Sequence, residues 1–331
     1  MEIVFVHLNS PAPKYLLMNL KSTQKRFPYL QVSLITNHEQ VTARKSGLNV
    51  FLMSPPRASK DFDHYLKHSK SFRRNFWHSS IARFAYLEEY QKLVSVSLLH
   101  IESDVIISGD FPVQKMQDDC HTLCFPIVSR ERGIASVFYS PEAKSLTHFV
   151  SHCLKFVKRE PFGTDMLALR TYFDTFPDRV QALGIDALSR DLNTRVYDPA
   201  YVKAQQASFE RFEGLFDGAK VGYFFFGSNP WNARGVSFLG RDIENSYMDL
   251  SRAKLVENAD RAFYDLEMEN QLLRMFALHA SCKSTKLFDS EQLLKEGYRL
   301  KKTQNQKIYF SVQVQMVLRK VLSRLGIGSS N

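Results

Sequence analysis

Two carboxylates in the first third of the chain are well placed to do chemistry. Glu102 and Asp104 interrupt the apolar residues 98–107, which have the composition of a buried strand in a mostly parallel sheet. Charge inside such a strand is costly to bury unless it is paired or holds a metal ion. Side chains two residues apart on a strand share a face, so the pair can hold a hard divalent cation and a phosphorylated ligand. The alternative is two solvated acids that end the strand.

The elements before these carboxylates predict where they lie. Strands and helices alternate, which is typical of βαβ units and a parallel sheet whose ligands bind at the carboxyl ends of the strands. The polar residues 54–70, with two prolines near their start, predict a loop. The predicted strands are 3–8, 31–35 and 48–53, and the predicted helices are 14–26 and 72–90.

The remainder of the chain continues the α/β pattern and then becomes more polar. Strands are predicted at 122–128 and 134–139, and helices at 141–157 and 166–173, the latter capped by Thr164 or Asp165. The aromatic residues 221–227 predict a strand. Beyond residue 245, we expect a helix over 258–278, a strand over 308–316 and a basic helix over 317–325. The predicted organisation is therefore a catalytic domain at 1–245 and a mainly helical extension at 246–331.

Composition limits the class of protein. The chain has 331 residues, is 44% apolar and carries a net charge of +10, so it can build a core and favours anionic partners. Its four cysteines indicate no disulfide framework, and no apolar run is long enough for a membrane span. We expect a cytoplasmic protein.

Several common catalytic motifs are missing from the sequence. It contains no P-loop, no Rossmann glycine fingerprint, no nucleophile elbow and no His-Glu-x-x-His motif. What remains is a nucleotide-sized α/β sheet with Glu-x-Asp at a strand exit. Residues 100–104 resemble the metal-binding motif of the GT-A family of nucleotide-sugar-dependent glycosyltransferases. Residues 221–240 are similar to the acceptor-side loop of bacterial polysaccharide glycosyltransferases, and the resemblance covers roughly residues 1–245.

The resemblance implies a donor site. Asp104 would bind a divalent metal ion, manganese or magnesium, that holds the sugar diphosphate. The first acid is Glu102 where the family has Asp, so its longer side chain reaches either the metal or a ribose hydroxyl. Arg83, on the helix before the motif, would reach the nucleotide; alternatively it is a surface cation or forms a salt bridge to Glu88 or Glu89. His7 and Asn9 would contact the base or ribose, or else simply close the first strand.

The resemblance also implies an acceptor side. Asp165 is the candidate general base for an inverting transfer, and its alternative role is a helix cap. Trp231 would stack on an acceptor sugar, with Asn229 in the same loop; alternatively the loop folds back onto the sheet and buries Trp231. Arg234 or Lys220 would contact the diphosphate. The predicted activity is transfer of a sugar from a nucleotide donor to a glycan or lipid-linked glycan, in bacterial surface or capsular polysaccharide synthesis.

Two other functions remain open from the sequence. A sugar nucleotidyltransferase would share the nucleotide-binding half and the acidic metal site, but residues 9–13 lack the glycine-rich loop that holds a triphosphate. A non-catalytic cationic protein would use the positive charge to bind nucleic acid or a membrane, yet no nucleic-acid motif is present. The basic tail around Arg319, Lys320 and Arg324 is predicted to tether the enzyme to anionic lipid.

Overall fold

Alternating strands and helices build a mostly parallel, seven-stranded sheet in the order β3-β2-β1-β4-β7-β6-β8. Strands β1 to β4 are mutually parallel, β7 is antiparallel to both β4 and β6, and β8 is parallel to β6. The strands are β1 Glu2–Val6, β2 Gln31–Thr36, β3 Asn49–Leu52, β4 Leu98–Ile101, β6 Leu123–Pro126, β7 Val137–Ser140 and β8 Val180–Leu183. This confirms the predicted α/β class with a mostly parallel central sheet flanked by helices.

The protein is described by a computed structural model. It covers residues 1–40, 43–44, 46–68, 70, 75–129, 132–186, 199–226, 250, 253–258, 263–268, 271–280 and 288. The helices are α1 Lys14–Arg26, α2 Arg57–Tyr65, α3 Phe76–Val94, α4 Val113–Asp119, α5 Ala143–Arg159, α6 Asp165–Thr175, α7 Pro199–Phe212 and α8 Lys220–Phe226. Across the described ranges, no helix combines the length and apolarity needed to span a bilayer.

Side chains alternate across β1 and fill a core on each face of the central sheet. Val4 packs into one core with Phe84 of α3 and Phe149 of α5. Ile3 and Phe5 point the other way, into a second core that includes residues of α1. The layers are therefore helix, sheet and helix, with the carboxyl ends of the parallel strands meeting at one edge.

A second sheet uses strands from distant parts of the chain. Its order is β10-β11-β12-β5, and the short strand β9 also pairs with β12. A third core, which includes Ile106, Phe225 and Met275, packs against this sheet. The strands are β5 Val105–Ile107, β9 Leu215–Phe216, β10 Lys254–Asn258, β11 Phe263–Met268 and β12 Gln271–His279. The sheet therefore takes strands from both sides of residue 245, the predicted domain boundary.

The helix predicted over residues 258–278 is wrong, because the described part of this segment forms β11 and β12. Its many Leu, Met and Glu residues favour a helix on propensity. In the folded protein, β12 instead pairs antiparallel with β5 and parallel with β9. Tertiary pairing, which buries the strand, outweighs local propensity here. The helices and strands predicted beyond residue 288 lie outside the described residues.

Three shorter elements also differ from the prediction. Residues 57–65 form α2 in place of a loop, since prolines before a helix leave its first turn intact and Phe62 supplies a buried face. Residues 220–226 form α8 in place of a strand, because Asp217 accepts the backbone N–H groups of Val221 and Gly222 and so starts a helix. Residues 98–107 form two strands, not one.

Candidate functional site

The carboxylates Glu102 and Asp104 lie in the turn where the chain leaves one sheet for the other. Strand β4 ends at Ile101 in the central sheet, and β5 begins at Val105 in the second sheet. The backbone N–H of Val105 donates to the carbonyl of Glu102 at 3.0 Å, which closes the turn. The two acids therefore lie between the sheets, at the carboxyl end of a parallel strand, where ligands of α/β folds bind.

Neighbouring elements fix the backbone of this turn. The Nδ2 group of Asn19, on α1, donates to the carbonyls of Ser103 at 3.2 Å and Val105 at 2.7 Å. The backbone N–H of Ala280, just after β12, donates to the carbonyl of Asp104 at 2.7 Å. Because contacts come from both sides of the turn, its backbone is held in place before any ligand binds.

A third side chain completes the cluster. His279, the last residue of β12, places its Nε2 atom 3.3 Å from Oδ1 of Asp104 and 3.9 Å from Oε2 of Glu102. One ligand atom from each of the three residues lies within 4.8 Å of the others. The side chains are 17%, 14% and 11% exposed for Glu102, Asp104 and His279. Two carboxylates and an imidazole suit a divalent ion such as manganese, so the residues present fit the predicted metal.

The two acids control the charge of the His279 imidazole. Burial of the ring disfavours the charged form, but Asp104, and after it Glu102 and Asp217, outweigh burial and raise the pKa of His279 to about 9. With no cation bound, the ring is therefore protonated near neutral pH and offsets one of the two carboxylate charges. A metal ion that uses Nε2 must displace this proton.

The buried carboxylate of Asp217 holds the end of β12 in place. Its Oδ2 atom accepts the backbone N–H of His279 at 3.0 Å and that of Gly222 at 2.8 Å, and its Oδ1 atom accepts that of Val221 at 2.9 Å. Gly222 passes so close to the strand that a Cβ atom there would lie 1.8 Å from the carbonyl oxygen of His279. The start of α8 is therefore locked to the strand that carries the imidazole.

Arg83 connects the candidate metal-binding cluster to α6. Its Nη1 atom donates to Glu102 and its Nη2 atom to Asp165, and all three side chains are largely buried. Burial opposes the guanidinium charge, but the two carboxylates outweigh it and raise the pKa of Arg83. Burial, and after it the charge of Arg83, lower the pKa of His100 to about 3, so this histidine is a neutral core residue that donates to the carbonyl of Val4. Arg83 is thus not a surface cation.

The beginning of α6 distinguishes the two roles that the sequence allows for Asp165, which are general base and helix cap. Thr164 is the N-cap, and its side chain accepts the backbone N–H of Leu167. Asp165 is the first residue of the helix and points to Arg83. The cap at this position is therefore Thr164, and the Asp165 carboxylate lies in the ion-paired cluster.

The end of β1 reaches the same edge of the sheet. Asn9 has a left-handed backbone, with φ of 64°. Its Nδ2 group donates to Oγ of Ser79 at 2.9 Å, and its backbone N–H donates to Oδ1 of Asn37 at 2.7 Å. Ser79 is four residues before Arg83 on α3, so the two share a helix face. His7 lies nearby in sequence and its Nε2 atom is 3.0 Å from Oγ of Ser10.

The remaining predicted site residues divide into two groups. Lys220 begins α8, three residues after Asp217, and its charge counteracts the burial that raises the pKa of Asp186. It therefore lies on the element that is locked to β12. Asn229, Trp231 and Arg234 lie outside the described residues.

His279 and Asp217 are the site residues that sequence reasoning missed. A histidine at the end of an apolar segment is more often a core residue than a ligand, and the segment itself was predicted to be helical. If 271–279 is a strand, the alternating apolar residues Leu273, Met275 and Ala277 end in a histidine. The pattern that could have identified His279 is a polar residue at the end of an apolar strand. The same pattern identifies Glu102 and Asp104.

No family model matches this chain, and no curated protein matches it either. Solved structures similar to it include the galactosyltransferase LgtC in complex with donor and acceptor sugar analogues. That protein is 16% identical, the match covers 56% of this chain and 73% of LgtC, and the TM-score is 0.39.

Two further similar structures span a larger share of this chain. Mouse xyloside xylosyltransferase 1 in its apo form is 9% identical, with 63% of this chain and 93% of that chain covered and a TM-score of 0.38. A cytidylyltransferase from Leptospira borgpetersenii serovar Hardjo-bovis is 11% identical, with 63% and 93% covered and a TM-score of 0.34. The functional proposal below is argued from the residues of the site itself.

Proposed function

We propose that the protein is a nucleotide-sugar-dependent glycosyltransferase that uses a divalent metal ion. One observation carries the proposal: Glu102, Asp104 and His279 converge within 4.8 Å at the carboxyl end of a parallel strand. Three ligands of this kind leave room for the oxygens of a diphosphate in the coordination shell of a manganese or magnesium ion. Such a site suits a donor that leaves as a nucleoside diphosphate.

The chain's own residues set up the donor side. Glu102, Asp104 and His279 would hold the metal ion, which when bound neutralises the negative charge that develops on the leaving diphosphate. Arg83 orients Glu102 by a direct hydrogen bond. We assign contacts to the base or ribose to His7 and Asn9, which follow the adjacent strand β1, and diphosphate contacts to Lys220 and Arg234.

Asp165 is our candidate for the general base. A carboxylate in this position takes the proton of the acceptor hydroxyl as that oxygen bonds to the sugar. Arg83 holds Asp165 next to the metal-binding acids, which supports a role at the reacting end of the donor. Trp231 and Asn229 stay predictions for the acceptor side. The finer proposal is a glycan or lipid-linked glycan acceptor in bacterial surface polysaccharide synthesis, with the basic C-terminus at the cytoplasmic face of a membrane.

A thermal-shift screen tests the proposal. Nucleoside diphosphates, nucleoside triphosphates and nucleotide sugars would each be added with and without manganese, because a ligand of the folded state raises the melting temperature. We expect stabilisation by one nucleoside diphosphate and its sugar conjugates that increases with manganese. Stabilisation by a triphosphate alone would favour the nucleotidyltransferase. If no nucleotide stabilises the folded protein, the glycosyltransferase proposal fails and a cationic binding protein gains support.

A substitution at the turn links this response to the site. Asp104→Ala should abolish both the manganese-dependent shift and sugar transfer, while the variant still folds. The turn is preserved because Ala280 bonds to the backbone carbonyl of residue 104, not to its side chain. Asp118→Ala, which removes an exposed acid on α4, is the matched control and should keep both responses. Full transfer by folded Asp104→Ala would contradict the proposal.

A further inference from the structure

Four aromatic side chains form a cluster at the start of α3. The ring of His68 lies 5.5 Å from that of Trp77 and 5.8 Å from that of Phe162, and the rings of Phe76 and Trp77 are 5.0 Å apart. We call His68, Phe76, Trp77 and Phe162 the aromatic platform. Its outermost member, Phe162, is 69% exposed, and Phe76 is 38% exposed.

The turn that carries Phe162 is held tightly even though its side chain is in solvent. The backbone N–H of Lys67 donates to the carbonyl of Pro161 at 2.8 Å. The Nε2 atom of His68 donates to the carbonyl of Gly163 at 3.1 Å. Gly163 is pressed against α5, since a Cβ atom there would lie 2.3 Å from the ring of Phe156. An exposed aromatic ring on such a fixed turn has lost the freedom to fold back into the core.

The platform is adjacent to the candidate active site. Phe162 is three residues before Asp165, whose carboxylate accepts from Arg83. Trp77 is six residues before Arg83 on α3, which corresponds to about 9 Å along the helix axis. Helix α3 leads directly into β4, so its N-terminal end lies at the edge of the sheet where Glu102 and Asp104 emerge. The Cα atoms of Phe162 and Asp165 are at most about 11 Å apart, because only three residues of chain separate them, and this places the platform near the Asp165 end of the site.

We propose that the aromatic platform binds a neutral hexopyranose ring of the glycan acceptor. Pyranose rings present C–H groups on one face, and these pack on the electron-rich face of an aromatic ring. The position next to Asp165 is where an acceptor hydroxyl must arrive if Asp165 takes its proton. Ligand sites combine such apolar surfaces with a few polar groups, and His68 brings one such group into the platform itself. The inference rests on the proposed function and names the acceptor class for the same site.

The test measures binding of lactose, maltose and cellobiose by saturation-transfer NMR, with manganese and the stabilising nucleoside diphosphate present. Four proteins are compared: wild type, Phe162→Ala, Phe162→Tyr and Tyr29→Ala. Tyr29 is as exposed as Phe162, at 70%, but precedes β2 at the opposite edge of the sheet, so it is the matched control. Thermal shifts with the nucleoside diphosphate are recorded for all four proteins.

We expect at least one of the disaccharides to bind wild type, and Phe162→Ala to weaken its binding about tenfold, as loss of a ring contact predicts. Phe162→Tyr, which keeps the ring, and Tyr29→Ala should bind as wild type does. The proposal is overturned if none of the disaccharides binds wild type, if Phe162→Ala binds equally well, or if Tyr29→Ala loses as much. If the platform proposal fails but the nucleotide-dependent thermal shift is unchanged, the glycosyltransferase proposal is still supported. If wild type shows no such thermal shift, both the platform proposal and the glycosyltransferase proposal are rejected.

Discussion

His279 and Asp104 are linked through side chain and backbone at once. The Nε2 atom of His279 lies 3.3 Å from Oδ1 of Asp104, and the N–H of the next residue, Ala280, donates to the carbonyl of Asp104 at 2.7 Å. The backbone bond fixes the strand against the turn, and the side-chain contact decides whether a proton or a cation lies between the two groups.

Manganese affinity should increase with pH because the metal competes with the proton on His279. The pKa of this group is raised from 6.5 to about 9, so in the folded, metal-free protein the ring is charged throughout that interval. Between these values, we expect the affinity to rise by up to about tenfold per pH unit and then to level off. Isothermal titration calorimetry in buffers of different ionisation enthalpy should detect the release of about one proton. Equal affinity at pH 7 and pH 9 would contradict the assignment of His279 as a ligand.

Removing the Arg83 guanidinium should destabilise the protein strongly. Arg83→Met leaves Glu102 and Asp165 without their shared cation in a largely buried place, and breaking a buried pair typically costs about 3–5 kcal/mol. Urea unfolding measures the loss. The control is Arg44→Met, because Arg44 pairs with Glu39 at the surface, where both side chains are about half exposed, and it should lose less than about 1 kcal/mol. Equal losses in the two variants would show that the buried cluster contributes little.

Gly222→Ala should lower the stability of the protein and its affinity for manganese, although the residue lies in a helix. Alanine normally stabilises a helix by about 1 kcal/mol relative to glycine. Here the new Cβ atom would meet the backbone of His279 at 1.8 Å, so we expect lower stability and weaker manganese binding. Gly218→Ala is the control, since its Cβ atom would meet the side chain of Val128 instead. That variant should lose stability while its manganese affinity, once folded, stays near wild type.

Asp165→Asn should separate donor binding from transfer. Asparagine keeps an oxygen that accepts from Arg83 but cannot take a proton from an acceptor hydroxyl. If Asp165 is the base, the turnover of sugar transfer should fall about 10²- to 10⁴-fold while the nucleotide-dependent thermal shift is retained. Asp174→Asn removes a partly exposed acid of the same helix, paired with Arg170, and should leave transfer intact. Preserved transfer with reduced stability would assign Asp165 a structural role only.

Much of the central sheet was predictable because its strands and helices follow one another locally. The helix over residues 14–26 has the predicted bounds, and the strand at 31–35 is only one residue longer in the structure. Periodicity identifies such elements, and their alternation dictates a parallel sheet. Glu102 and Asp104 were found for the same reason, since polar residues that interrupt an apolar strand are visible in the sequence.

The strand β12, the helix α8 and the position of His279 depend on contacts between distant parts of the chain. The sequence of residues 271–279 does not indicate that they pair with residues 105–107, so their helix-favouring composition led to a wrong prediction. The aromatic residues near Gly222 have strand character, and only the carboxylate of Asp217 turns them into a helix. His279 was missed because its role requires both of these arrangements.

The order of the three candidate ligands along the chain determines when the proposed metal site can form during synthesis. Glu102 and Asp104 belong to the part of the chain that is made first, together with most of the central sheet, whereas His279 follows only after β10 and β11. A ribosome-bound or truncated chain that ends before residue 279 holds two of the three ligands and lacks the strand that pairs with β5. If the three residues hold a metal ion as proposed, full metal affinity therefore requires synthesis to have passed β12.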